Sequence, residues 1–157
     1  MTTINCSLQT LDQTIGVLRA GGAVGEEQVV LWLAPLSAVR PPYPIVEVYR
    51  PDQITDVDYF KLPQESLRAL MTHLRAKRLK IVAQVHSHPG QAFHSEADDE
   101  WAIVRHEGAL SLVLPQFAVS TTPANFFEQA VTYELSAQNE WVRAPSGGPS
   151  GRIGVTT

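Results

Sequence analysis

The sequence predicts an α/β fold, a single domain built on a mixed β-sheet flanked by helices. Three observations lead there. Apolar runs rich in β-branched residues alternate with segments whose apolar residues recur every three or four positions. The last two β-favouring runs follow each other without a helical segment, so the sheet cannot be wholly parallel. A chain of 157 residues with 44% hydrophobic content is the right size for one packed core.

The first helix starts after Ser7, an N-cap residue type, and carries Leu8, Leu11, Ile15 and Leu18 on one face. The glycines of "AGGAVG" end it. "QVVLWLA" (28–34) is a continuous apolar run and reads as a buried strand; "PLSAVRPPYP" is turn-rich, and "IVEVYR" (45–50) alternates as a second strand. Pro63 opens a second helix, whose stripe is Leu67, Leu70, Met71 and Leu74 and whose basic tail "RAKRLK" suits the C-terminal end of the helix dipole. "LKIVAQV" (79–85) is the next strand. "EADDEWAIVRHEG" reads as a helix from Ser95 to Gly108, and "LSLVLP" (110–115) as a strand. "QAVTYEL" and "NEWVRA" form a closing hairpin around "SAQN". The domain is expected over residues 1–144, with 145–157, rich in Gly, Pro and Ser, as a flexible tail.

Composition narrows the function. The formal charge is −4 and no Lys/Arg block occurs, so no nucleic-acid partner is indicated. No apolar stretch approaches the roughly 20 residues that span a bilayer, and the first residues lack a signal-peptide pattern. Cys6 is the only cysteine, which excludes an internal disulfide and fits a reducing, cytoplasmic location. It is read as a buried, inert residue.

The chemistry concentrates in "QVHSHPGQAFHSEADDEWAI" (84–103), which holds three of the chain's five histidines. His86 and His88 are two apart at a strand end, so both imidazoles project from one face. Pro89 biases His88 toward extended geometry. "SEAD" taken alone is a capping box, Ser95 at the N-cap and Asp98 three residues on. A helix starting there also points Asp98 from its first turn toward the histidine pair. Two imidazoles and one carboxylate make a three-ligand zinc set with a tetrahedral position left for water, whose pKa zinc lowers from about 15.7 toward about 7. A general base is still required, and Glu26, Glu27 and Glu47 are candidates that spacing does not separate.

"HSHP" followed by S-x-x-D resembles the JAMM motif of the MPN (JAB) domain metalloproteases, in their compact prokaryotic form. The family pattern is E…H-[ST]-H-P-x(n)-S-x-x-D, and the resemblance covers most of residues 7 to 143. It implies a layered, cytidine-deaminase-like fold, with zinc held by His86, His88 and Asp98 and an oxyanion met by the Ser95 hydroxyl. The family glutamate stands in a pattern similar to E-x-x-G-x-L-x-G; "EQVVLWLA" matches from Glu27, with Val30 and Ala34 in place of the glycines, so Glu27 is the base implied. Asp98 keeps the S-x-x-D interval whereas Asp99 keeps the usual distance from the histidines; a helical residue turns about 100°, so only one can face the ion, and Asp98 is preferred. His94 is read as lying behind the ligands or facing substrate, since a fourth protein ligand would expel the water. His73 and His106 are read as helix-surface residues. Phe126 and Phe127 could flank a substrate groove.

The resemblance further implies hydrolysis of the amide bond that follows the C-terminus of a ubiquitin-like protein, with activating and conjugating enzymes of the same operon as partners, including in antiphage systems. The alternatives are a peptidase acting on a sulfur-carrier adduct or small peptide, and a metal-free MPN scaffold.

Overall fold

The structure, a computed structural model, describes residues 2–156. Strand β1 (Ile4–Ser7) leads into helix α1 (Leu8–Gly22), then come β2 (Val29–Pro35), β3 (Tyr43–Pro44), β4 (Glu47–Tyr49), β5 (Ile54–Thr55) and β6 (Phe60–Lys61). Helix α2 (Gln64–Lys77) precedes the long strand β7 (Leu79–Ser87) and the one-turn helix α3 (Glu96–Glu100). Strand β8 (Leu110–Leu114), α4 (Phe126–Gln129), β9 (Val131–Leu135), β10 (Trp141–Ala144) and β11 (Ile153–Thr156) complete the chain. The main sheet runs β10-β9-β8-β7-β2-β4, with β7 and β8 parallel and the other neighbours antiparallel. It is mixed, with helices on its faces, as the sequence predicts.

Strand β2 explains the layering. Its alternate residues Val30, Trp32 and Ala34 enter the core shared with Leu11, Ile15 and Leu18 of α1, while Leu31 and Leu33 face Leu70 and Leu74 of α2. Both faces are buried, hence the unbroken apolar run. Trp32 satisfies its indole N–H by donating to Thr14 Oγ1 at 2.9 Å. Ser7 caps α1 as expected, its hydroxyl accepting from the Thr10 amide at 3.2 Å. The stripe of α2 is narrower than expected: Leu70 and Leu74 are buried, but Leu67 and Met71 are exposed.

Two expectations are corrected. The helix expected to Gly108 stops at Glu100, because the side chain of Gln84 on β7 accepts from the amides of Ile103 and Val104 at 2.8 and 3.5 Å. Those amides are thereby withdrawn from helical pairing. The segment expected to be a flexible tail is ordered over 145–156: it turns back at Gly151, where a Cβ would sit 2.4 Å from the Gly147 backbone, and β11 pairs in parallel with β1. With β3, these strands form a second, three-stranded sheet, and Ile153 fills the main core. Four-residue strands with one or two apolar positions carry no readable periodicity, so β1 and β11 escape a sequence reading.

Candidate metal centre

Strand β7 delivers both histidines of the H-x-H pair. Its last residues are clamped on both sides, His86 opposite Val29 of β2 and Val113 of β8. Beyond the strand, the His88 amide donates to the Leu114 carbonyl at 2.9 Å, and the His88 carbonyl accepts from the Phe117 amide at 2.8 Å. Phe117 belongs to a short 3-10 turn, Gln116–Ala118, whose three residues all have φ between 52° and 58°. Left-handed backbone costs L-residues about 1–2 kcal/mol each, so neighbours must hold this turn. Arg19 of α1 does so by donating to the carbonyls of Ala118 and Thr121. Gly22 makes room for it: a Cβ there would lie 2.3 Å from that of Phe117.

Asp98 enters from α3. Ser95 Oγ accepts from the Asp98 amide at 3.2 Å, while Asp98 Oδ2 accepts from the Ser95 amide at 2.7 Å. This is a complete capping box. The same carboxylate lies 3.1 Å from His86 Nε2 through Oδ1 and 3.0 Å from His88 Nε2 through Oδ2. The capping and ligand readings of "SEAD" are therefore compatible, the cap being what aims the carboxylate. Asp99 turns away to His94 Nδ1 at 2.5 Å and is exposed.

Of the three candidate bases, the structure brings only Glu27 to the cluster, with Oε1 3.6 Å from His88 Nε2. Glu26 accepts from Thr55 Oγ1 at 2.5 Å, and Glu47 pairs with His73 at 2.6 Å on the α2 side. Glu27 is 1% exposed, and its Oε2 has no hydrogen-bond partner. Burial, then the charges of Asp98 and Asp58, push its carboxyl up to about 9. Burial would also raise Asp98, but His86 and His88 facing it hold its carboxyl far below the usual range.

The donor set fits a cation. Ligand atoms of His86, His88 and Asp98 lie within 4.8 Å of one another, and all three residues are buried. Both ring nitrogens of His86 are buried without a hydrogen-bond partner; its Nε2 sits close to Asp98 but off the bonding direction. A divalent ion would satisfy that nitrogen, and N/O donors of this kind suit zinc.

Comparison with known proteins agrees with this geometry. Residues 20–127 match the family described as prokaryotic homologs of the JAB domain. This chain belongs to that family. A relative from Sinorhizobium fredii (strain NBRC 101917 / NGR234), named "Probable metalloprotease y4jG", is 35% identical over 144 residues, which is 89% of this chain and 86% of the relative. The same overall fold is also met in solution structures. A protein of Desulfitobacterium hafniense superposes with a TM-score of 0.64 at 14% identity, covering 98% of this chain and 92% of that one. A Salinibacter ruber protein gives 0.54 at 18% identity, covering 94% and 90%.

Within this JAB domain, some site residues lie beyond the sequence reading. A cleft of about 430 Å³ opens beside Glu27 and His88 and is bordered by Asp58, Phe93, Ser95 and Glu96. Phe93 stands edge-on to the His88 ring, 4.7 Å between centroids, and is exposed. Asp58 comes from the turn between β5 and β6, too far along the chain from any motif for spacing to find it. His94 lies behind the cluster: its Nε2 is 3.1 Å from Ser111 Oγ, which also accepts from Gln84. Burial lowers its pKa, so the neutral ring accepts from Ser111 and donates to Asp99. Phe126 is core, stacked 6.1 Å from Trp32, and does not border the cleft. Cys6 is buried, which pushes its thiol up to about 12 and leaves it unreactive. Among the described residues, no helix is long and apolar enough to cross a membrane.

Proposed function

We propose that this protein is a zinc metallopeptidase that cleaves the amide bond following the C-terminus of a ubiquitin-like protein, from a lysine conjugate or a precursor. The observation that carries the reading is the buried His86–His88–Asp98 cluster with the unpartnered carboxylate of Glu27 beside it. The relative named a probable metalloprotease supports the same chemistry.

His86, His88 and Asp98 would hold the ion. A zinc ion bound there supplies Lewis acidity, polarising the scissile carbonyl and acidifying water at neutral pH. Glu27 is the general base. With Oε1 3.6 Å from His88 Nε2 and its side chain bordering the cleft, its carboxylate takes a proton from the attacking water and returns it to the leaving amine. Ser95 receives the oxyanion. Its oxygen already accepts from the Asp98 amide, so its hydroxyl hydrogen is free to point into the cleft it borders. The buried ligands keep bulk water from competing for these groups.

The deciding experiment offers the purified protein a ubiquitin-like protein encoded beside it, fused at its C-terminus to a reporter. The expected result is about one zinc per chain and cleavage at the junction that stops with a chelator and returns with zinc. Cleavage that continues without metal, or that survives His88→Ala, overturns the proposal. Cleavage of a sulfur-carrier adduct instead of the fusion would retain the chemistry and overturn the substrate.

A further inference from the structure

At the opposite end of β7 from the histidines, the strand is only half paired. Strand β8 begins opposite Ala83, whereas β2 pairs with β7 back to Leu79. Leu79–Val82 therefore offers backbone donors and acceptors on its β8 side, and among the described residues no strand pairs with them there. The helix expected to cover this flank ends at Glu100, leaving a groove of about 790 Å³ between α2, this edge and residues 103–106.

The groove's charge is one-sided. Arg75, Arg78, Lys80 and Arg105 line it, with His106, in a chain whose net charge is −4. None of the 16 acidic residues does. Among the described residues none of these four cations forms an ion pair. Lys80 is turned onto the Tyr43 ring and donates to the Ala38 carbonyl, and Arg105 donates to Asn139 and to the Asp99 carbonyl, but among the described residues no hydrogen bond engages the side chains of Arg75 or Arg78. Large apolar side chains, Leu36 and Met71, stand exposed at its mouth.

We infer that this groove is a docking site for an extended, acidic segment of a partner protein, which adds as a strand beside Leu79–Val82. Backbone pairing along a free edge supplies affinity, and side chains on alternate positions supply selectivity. The unpaired cations select Asp and Glu in the guest, and Leu36 and Met71 take its apolar residues. A second copy of this chain is a poor guest, because edge-to-edge pairing would face the two cationic clusters against each other. The strands β1 and β11 are engaged elsewhere, in the β11-β1-β3 sheet. Val82 and His86 are four residues apart, roughly 13 Å of strand, so the guest leaves the metal centre open.

The test uses labelled eight-residue peptides alternating acidic and β-branched residues, followed by fluorescence anisotropy and by amide NMR shifts on the intact protein. Saturable binding is expected, weakening with salt, with shifts at residues 79–82. Replacing the acids by lysine, N-methylating alternate peptide amides, or the double change Arg75→Glu and Arg78→Glu should each weaken binding at least tenfold. The double variant should keep its zinc content and cleavage activity. Equal binding of the lysine or N-methylated peptides, no saturable binding of any acidic peptide, or sedimentation showing copies paired through this edge would overturn the inference. The N-methyl arm uses unaltered protein and so holds if the variant misfolds.

Discussion

The two ends of strand β7 make the instructive contrast. His86 and Ser87 are fully buried and hydrogen-bonded to strands on both sides; Leu79–Ile81 are half-exposed and paired on one side only. Where the strand is enclosed, charges lose water and interact strongly, which is why Glu27 and Asp98 depart in opposite directions from ordinary carboxyls. Where it is open, cations accumulate without ion-pair partners among the described residues. One strand thus holds a dry centre suited to chemistry and a wet edge suited to recognition.

The contrast can be broken at its dry end. Glu27→Gln keeps the ligands and removes the base, so zinc content should stay near one per chain while kcat falls about 10²–10⁴-fold. If Glu26→Gln or Glu47→Gln did the same and Glu27→Gln did not, the assignment of the base would fail. Ser95→Ala removes a hydroxyl that both caps α3 and borders the cleft. It should lower kcat about 10²-fold and stability by about 1 kcal/mol; a loss of stability alone would leave only the cap.

A gentler probe reads desolvation directly in metal-free protein. Glu27 has a folded pKa of about 9 against an ordinary 4.5, so the native state holds a proton that the unfolded chain has released between those values. Its contribution is complete below pH 4.5 and fades as pH rises toward 9, with a slope of at most about 1.4 kcal/mol per unit. Melting temperatures of chelator-treated protein should fall from pH 6 to 8, and Glu27→Gln should flatten that fall. An unchanged slope would mean that Glu27 is solvated. Smallest of all, Met71→Ser at the wet end should change stability by less than about 0.5 kcal/mol and leave cleavage untouched, as thermal melts and the fusion assay would show.

Much of this was legible in the sequence. The alternation of α1, β2, α2, β7 and β8 was visible because each is long enough for its periodicity to show, and the family because H-x-H-P and S-x-x-D are local patterns. Asp98 was preferred to Asp99 on the S-x-x-D interval although the distance from the histidines favoured Asp99, and the structure aims Asp98 at the histidines while Asp99 goes to His94. The extent of α3 was not legible, since its end depends on the side chain of Gln84 reaching over from β7. Nor was the order of 145–156, which depends on a partner strand at the other end of the chain.

By itself, then, the sequence determined the layered α/β architecture and the identity of the chemical groups, because helix and strand periods and ligand spacings are properties of neighbours along the chain. Spacing left three glutamates open and the family resemblance pointed to Glu27; tertiary structure alone decided that Asp58 and Phe93 border the cleft and that Leu79–Val82 keep a free edge. Those outcomes depend on burial and on strand register, which arise only when segments distant along the chain pack together.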